Sequence, residues 1–153
     1  VFNLFESTVK TKSGLKQNLA EVLFQQQYHT IYLMLGINEL GYDYNSIIRK
    51  YQSVVDTIKA RQPNAMIVLE ANLHVTAEKS ASSNTYTNEK INQINSGIRA
   101  IAENSDCCYI DVNSIFDDEN GALKTTYSTD GSHVLGKYYS VWTDWLKGKS
   151  PDV

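Results

Sequence analysis

Thr30-Ile31-Tyr32-Leu33-Met34-Leu35-Gly36-Ile37-Asn38-Glu39 is the stretch that decides the fold. Residues 30–35 are apolar on both faces of an extended chain, apart from the Tyr32 hydroxyl. A strand without a polar face is expected to be buried on both sides, as parallel strands covered by helices are. Gly36 ends the run, and polar residues follow at its C-terminal end.

Outward from this strand, helix and strand signals alternate. Ile47, Ile48, Tyr51, Val54, Val55 and Ile58 fall on one face of a helix predicted over Tyr44–Arg61, with Pro63 just beyond it. Residues 66–69 form a second buried strand, and residues 70–83 read as a long polar loop. A helix over residues 84–104 carries Ile91, Ile94, Ile98 and Ile101 on one face. A third strand covers residues 107–112. Residues 113–129 are a loop with a turn near 114–116, and a last helix over residues 135–146 presents two tryptophans. Upstream, Ser13 is placed to cap a helix over residues 14–27 with Leu15, Leu19, Val22 and Leu23 as its stripe. The alternation predicts an α/β domain, a parallel sheet covered by helices on both faces.

At 153 residues the chain is expected to be one domain with a sizeable core. Its net charge of -3 comes from interspersed acids and bases, with no basic stripe for nucleic acid and no polybasic run for an anionic membrane. The longest apolar run, residues 31–35, is far too short to span a bilayer. Cys107 and Cys108 are neighbours and in a strand point to opposite faces, so they read as small buried hydrophobes rather than a disulfide.

In parallel sheets, sites form at the C-terminal ends of the strands. That rule selects Asn38 after the first strand, Asn72 and His74 after the second, and the loop Asp130-Gly131-Ser132-His133 that enters the last helix. It rejects His29, at the start of a strand. An Asp three residues ahead of a His can supply both a base and its orienting carboxylate. The same spacing also suits an Asx-type turn with a capping His, and spacing alone does not separate the two. Asn38, after a glycine that lets the chain turn sharply, can donate to a developing oxyanion or cap its own loop. Glu39 can brace that loop or be solvated, and His74 can face a cleft or sit exposed in a loop.

Two blocks carry a resemblance. Leu35-Gly36-Ile37-Asn38-Glu39 is similar to the G-x-N-D block of the SGNH hydrolases, the GDSL-type lipases and acylhydrolases, with Glu for the last Asp. Asp130-Gly131-Ser132-His133 matches their D-x-x-H block in full. Their order, separation and α/β setting also fit, and the resemblance runs from Val1 to Leu146. It implies a three-layer α/β/α sandwich with a parallel, flavodoxin-like sheet. It implies hydrolysis of carboxylic esters through an acyl-enzyme, without metal or organic cofactor. By the same resemblance His133 is the general base, Asp130 its orienting acid and Asn38 an oxyanion donor. Gly36, Asn72, His74 and Tyr42 are then the residues expected to face substrate.

The family's G-D-S block, which holds the nucleophilic serine, and its following glycine block are not identifiable. Ser7 and Ser13 lack the strand-turn-helix setting, and Ser132 lies inside the His loop. The expectation is therefore a single SGNH-like domain over residues 1–153 that starts downstream of both blocks and lacks its first two strands. The strand at 30–35 would then present an open apolar edge, which natural proteins avoid. That predicts a companion N-terminal fragment, a swapped partner chain or a further upstream segment. Polar loops bearing Tyr42, Tyr44, Tyr86 and Tyr127, with no apolar lid, favour short-chain or carbohydrate esters over long lipids. The chain alone is expected to be inactive, and an alternative is a non-catalytic glycan-binding module or an inactive fragment on the same fold. A metal site built from His74, Asp111, Asp130 and His133 matches no standard ligand spacing.

Overall fold

After a 3-10 turn at Leu4–Glu6, a hairpin and a short helix stand where the sequence predicts a single helix over residues 14–27. The structure, a computed structural model, describes residues 2–149; residues 1 and 150–153, the ends of the expected domain, lie outside the described residues. Strand β1 (Thr8–Lys10) pairs antiparallel with β2 (Lys16–Asn18). Helix α1 (Leu19–Gln25) begins only after the hairpin. The reason is a capping box: the Asn18 side chain accepts from the Glu21 N–H at 2.9 Å, and the Glu21 carboxylate accepts from the Asn18 N–H at 3.1 Å. This satisfies two orphan donors reciprocally, which Ser13 has no partner to match.

The parallel sheet follows the predicted alternation. Strand β3 (Thr30–Leu33) leads to α2 (Tyr44–Arg61), which keeps the predicted bounds because Asp43 caps it, accepting from the Ser46 N–H at 2.8 Å. Strand β4 (Met66–Glu70) leads through α3 (Ala77–Ser82) to α4 (Asn88–Asn104), and β5 (Cys108–Ile110) closes the sheet in the order β3-β4-β5. Pairing is parallel throughout, with Ile31 opposite Ile67 and Leu69 opposite Tyr109. Alternate residues Leu33, Ile67 and Leu69 face the apolar stripes of α2 and α4 and form the main core with Ile47, Val54, Ile91 and Ile98. Helix α4 starts four residues later than expected because Thr87 is its cap.

Three further expectations are corrected. Strand β3 is terminal in the sheet and Tyr32 is 41% exposed, so burial on both faces holds for β4 and not for β3. Residues 70–83 are not a polar loop: the chain stays largely buried to Thr76 and then forms α3. Cys107 is half-buried and Cys108 exposed, both free, so neither is a core residue.

A smaller cluster lies beyond the sheet's other face. Val112, Phe116, Leu123 and Val134 pack with Trp142 and Trp145 of α6 (Tyr139–Lys149), and short α5 (Asn113–Phe116) supplies Phe116. Glu70 alternates with Leu69 along β4, is buried, and neighbours Trp142; burial raises its carboxyl above the ordinary value. Helix α6 itself has no buried residue.

The main core predicts two contrasting substitutions. Ile98 is fully buried, so Ile98→Ala should cost about 2–5 kcal/mol in urea unfolding. The Tyr51 hydroxyl is buried with no hydrogen-bond partner among the described residues. Tyr51→Phe should therefore leave the unfolding midpoint unchanged or higher, and a large drop would show that the hydroxyl is paired.

Candidate active site

The His133 loop is built around one carboxylate. Asp130 Oδ1 accepts from the backbone N–H groups of Ser132 and His133, each at 2.8 Å, and from the Ser128 hydroxyl at 3.1 Å. Its Oδ2 meets His133 Nδ1 at 2.7 Å. The Ser132 amide, then the His133 amide and ring, hold the Asp130 carboxyl well below the usual carboxylate range. The Asx turn and the Asp–His contact that the D-x-x-H spacing allows coexist: the turn is what aims the carboxylate at the imidazole. A carboxylate at Nδ1 favours the tautomer protonated there and leaves the Nε2 lone pair for chemistry. Among the described residues none hydrogen-bonds Nε2.

Gly131 makes this turn possible. Its φ is +80°, and a Cβ would lie 2.9 Å from Thr76 Oγ1 and 3.0 Å from Lys79 Cβ. The Thr76 N–H donates to Gly131 O at 2.9 Å, fastening the loop to the segment after β4.

The second half of the site is the turn after β3. Gly36 adopts φ +118°, and a Cβ there would come within 3.2 Å of Asn72 Nδ2. Asn72 Nδ2 donates to Leu35 O at 2.7 Å, so Asn72 braces the turn from beneath. A 3-10 turn over Ile37–Glu39 then raises Asn38 to the surface.

One cleft of about 460 Å³ is lined by Asn38, Asn72, Asp130 and His133 together. That volume suits a small-molecule site. Ser132, Lys79 and the aromatic rings of Tyr86, Tyr139 and Trp142 complete the lining that concerns chemistry. The Asp130–His133 pair is open to solvent, with side chains 55% and 84% exposed.

Other candidates lie elsewhere. Tyr42 is 65% exposed and tilted against Phe2 at 5.4 Å, outside the cleft lining. Tyr44 begins α2, and Tyr127 packs edge-on against Phe116, so of the four loop tyrosines only Tyr86 reaches the cleft. Ser7 and Ser13 are engaged locally, with Asn3 O and the Thr11 hydroxyl. His74 is not an exposed loop residue: it is 8% exposed, with Nδ1 2.7 Å from Asp117 Oδ2 and Nε2 2.7 Å from Asn92 Oδ1. His74 and His133 thus hold separate carboxylates, and no metal-sized group of three His, Cys, Asp or Glu exists among the described residues. Sequence reading missed Lys79 and Tyr139 in the cleft, and the asparagines of α4 beneath it. Their one signal was the spacing Asn88, Asn92, Asn95, a polar stripe of helical period beside the isoleucines.

With that geometry in place, the comparisons are specific. The sequence profile of the GDSL-like lipase/acylhydrolase family matches residues 7–139. No curated protein sequence matches the chain. Among solved structures, a Streptococcus pneumonia protein given the working description of a platelet activating factor is similar at TM-score 0.70 and 25% identity, over 78% of this chain and 58% of its own. A GDSL-like lipase from Bacteroides thetaiotaomicron is similar at TM-score 0.63 and 20% identity, over 78% and 60%. A catalytic mutant of an acetylxylan esterase from Geobacillus stearothermophilus is similar at TM-score 0.65 and 14% identity, over 89% and 64%. The chain spans about three fifths of the length of these structures.

The Asp130 geometry carries a pH prediction. Its folded value is depressed, so its contribution to the loop is present above the ordinary carboxylate range and is lost as pH falls through the depressed value. A carboxyl-carbon NMR titration should therefore show Asp130 still ionised where exposed carboxylates are half protonated. An ordinary midpoint for Asp130 would mean the turn is not formed in solution.

Proposed function

The chain belongs to the GDSL-like lipase/acylhydrolase family, and from that premise we propose that it carries out carboxylic ester hydrolysis by acyl transfer through a serine. The observation that supports this best is the 2.7 Å Asp130–His133 pair opening onto the same cleft as Asn38. A serine Oγ attacks the ester carbon while His133 Nε2 takes its proton. Asp130 steadies the resulting imidazolium, and the Asn38 side-chain amide donates to the oxyanion. The tetrahedral intermediate collapses, and the leaving alcohol recovers the proton from His133. Water then attacks the acyl-serine by the same route, releasing the acid and restoring the serine.

The nucleophile belongs, in this proposal, to polypeptide that pairs along the outer edge of β3, either a companion segment or a partner chain. Two features support that placement. Strand β3 is terminal among the described residues, and Met34 and Asn38, which follow it, already line the cleft. A parallel strand beside it would end where His133 is. Its presence would also cover the exposed Asp130–His133 pair, and a drier site strengthens that pairing. Residues 1–153 then constitute one SGNH-type domain only together with that segment.

Short acyl esters of carbohydrate are the substrate class that the lining favours. Tyr86, Tyr139 and Trp142 bring aromatic rings to the lining for a sugar, and Lys79 brings a donor. The acetylxylan esterase described above lends this support by its fold. A second reading, a glycan-binding module without turnover, is supported by the aromatic lining of Tyr86, Tyr139 and Trp142, which can hold a sugar without a serine.

Fluorophosphonate treatment followed by intact-mass analysis separates the two. A labelled serine on an adjoining segment, with labelling lost in His133→Ala, is the expected result. In the labelled protein Asn38→Ala should lower kcat about 10²- to 10³-fold. Glycan binding with neither label nor ester turnover would establish the binding module instead.

A further inference from the structure

Residues 72–76 leave β4 largely buried, and three asparagine side chains hold their backbone. The Asn72 N–H donates to Asn95 Oδ1 at 2.7 Å, and Asn72 O accepts from Asn95 Nδ2 at 2.9 Å and from Asn113 Nδ2 at 3.0 Å. The His74 N–H donates to Asn113 Oδ1 at 2.9 Å. The Val75 N–H and carbonyl both bond the Asn88 side chain at 2.9 Å. This segment in turn holds both halves of the site: Asn72 braces the Gly36 turn, and Thr76 grips Gly131. His74 is the one residue of the five whose side chain titrates.

We propose that His74 is a positioning residue for the ester hydrolysis: as an imidazolium bridging Asp117 and Asn92, it fixes the segment from which the Asn38 turn and the His133 loop are both held. The ring meets an oxygen at each nitrogen, both at 2.7 Å. Amide and carboxylate oxygens only accept, so both nitrogens must donate, and an imidazole with two N–H groups is a cation. Three groups face the ring: Asp117 beyond α5, Asp111 beyond β5, and Asn92 on α4. Burial pushes the imidazole down, but its hydrogen bonds to Asp117 and Asn92 and the charges of Asp117 and Asp111 outweigh that, and the net direction is upward. The bridge is therefore complete below the ordinary imidazole range and is lost as pH rises through the raised value. Deprotonation at Nε2 removes the donor to Asn92, the one link between the segment and α4 that titrates, beside those made by Asn88 and Asn95. Asp117, whose Oδ1 already has no hydrogen-bond partner among the described residues, is left beside a neutral ring.

Only the turnover arm of the test rests on the hydrolase reading. Long-range 1H–15N spectra of histidine-labelled protein are recorded from pH 5 to 9, with the His74 ring identified by its loss in His74→Gln or by connection to its own backbone. The expected result is a doubly protonated His74 ring at neutral pH whose later titration moves the backbone amides of Asn38, Gly131 and His133. In protein that turns over esters, His74→Gln should lower kcat by up to about 10²-fold with KM unchanged. The alkaline limb of the wild-type profile that shares the His74 midpoint should also disappear. A neutral His74 ring at pH 6–7, or a titration that leaves Gly131 and Asn38 unmoved, overturns the proposal. Should the protein show neither fluorophosphonate label nor turnover, the hydrolase reading fails by that result, and the ring spectra still decide whether His74 fixes the segment.

Discussion

Buried backbone must find hydrogen-bond partners, and where the chain leaves β4 it finds them in side chains rather than in secondary structure. Asn88, Asn95 and Asn113 answer the donors and acceptors of residues 72–75, each amide offering a donor and an acceptor at once. An unmet buried group costs about 1–3 kcal/mol, so losing one of these asparagines releases several penalties together. Everything at the C-terminal edge of the sheet hangs from this arrangement. It lets a segment without regular structure be as fixed as a strand, and the two glycine turns are then clamped against it.

The two halves of the site are stabilised differently. The Gly36 turn is packed against Asn72 and Ile94 and inherits the rigidity of the main core. The Asp130–His133 turn is a local device, closed by hydrogen bonds within four residues and tied to the body chiefly through Gly131 and Thr76. Solvent screens the charge part of that pairing, so geometry rather than Coulomb energy holds the imidazole. The same asymmetry divides the sheet: one face is sealed by α2 and α4, the other is touched by α6 through Trp142 and Trp145.

Much of this was readable in the residues themselves. The periods of Ile47–Ile58 and Ile91–Ile101 are long and regular, and both helices stand where they point. The G-x-N-E and D-x-x-H stretches announced the two turns because short motifs carry their own hydrogen bonds. Three things were not legible, for physical reasons. The hairpin at Thr8–Asn18 is decided by competition between two caps, Ser13 and the Asn18–Glu21 box, and propensity alone does not rank them. The exposure of Tyr32 depends on which strands flank β3, a tertiary fact. His74 looked like a loop residue because its partners, Asn92 and Asp117, lie 18 and 43 positions away and are polar residues of ordinary surface type.

The order of the sheet also bears on how the chain reaches this state. Thr30 pairs with Met66, and Val68 with Cys108. Each pairing closes a loop of roughly 40 residues, whose entropy must be spent before any strand contact rewards it. Helices α2 and α4 and the β1–β2 hairpin need only local contacts. Bringing these distant strands into register gives the fold a higher contact order than a helical bundle, which slows folding. Among the described residues β3 has one strand neighbour where β4 has two, so fewer ladder hydrogen bonds hold it against local opening.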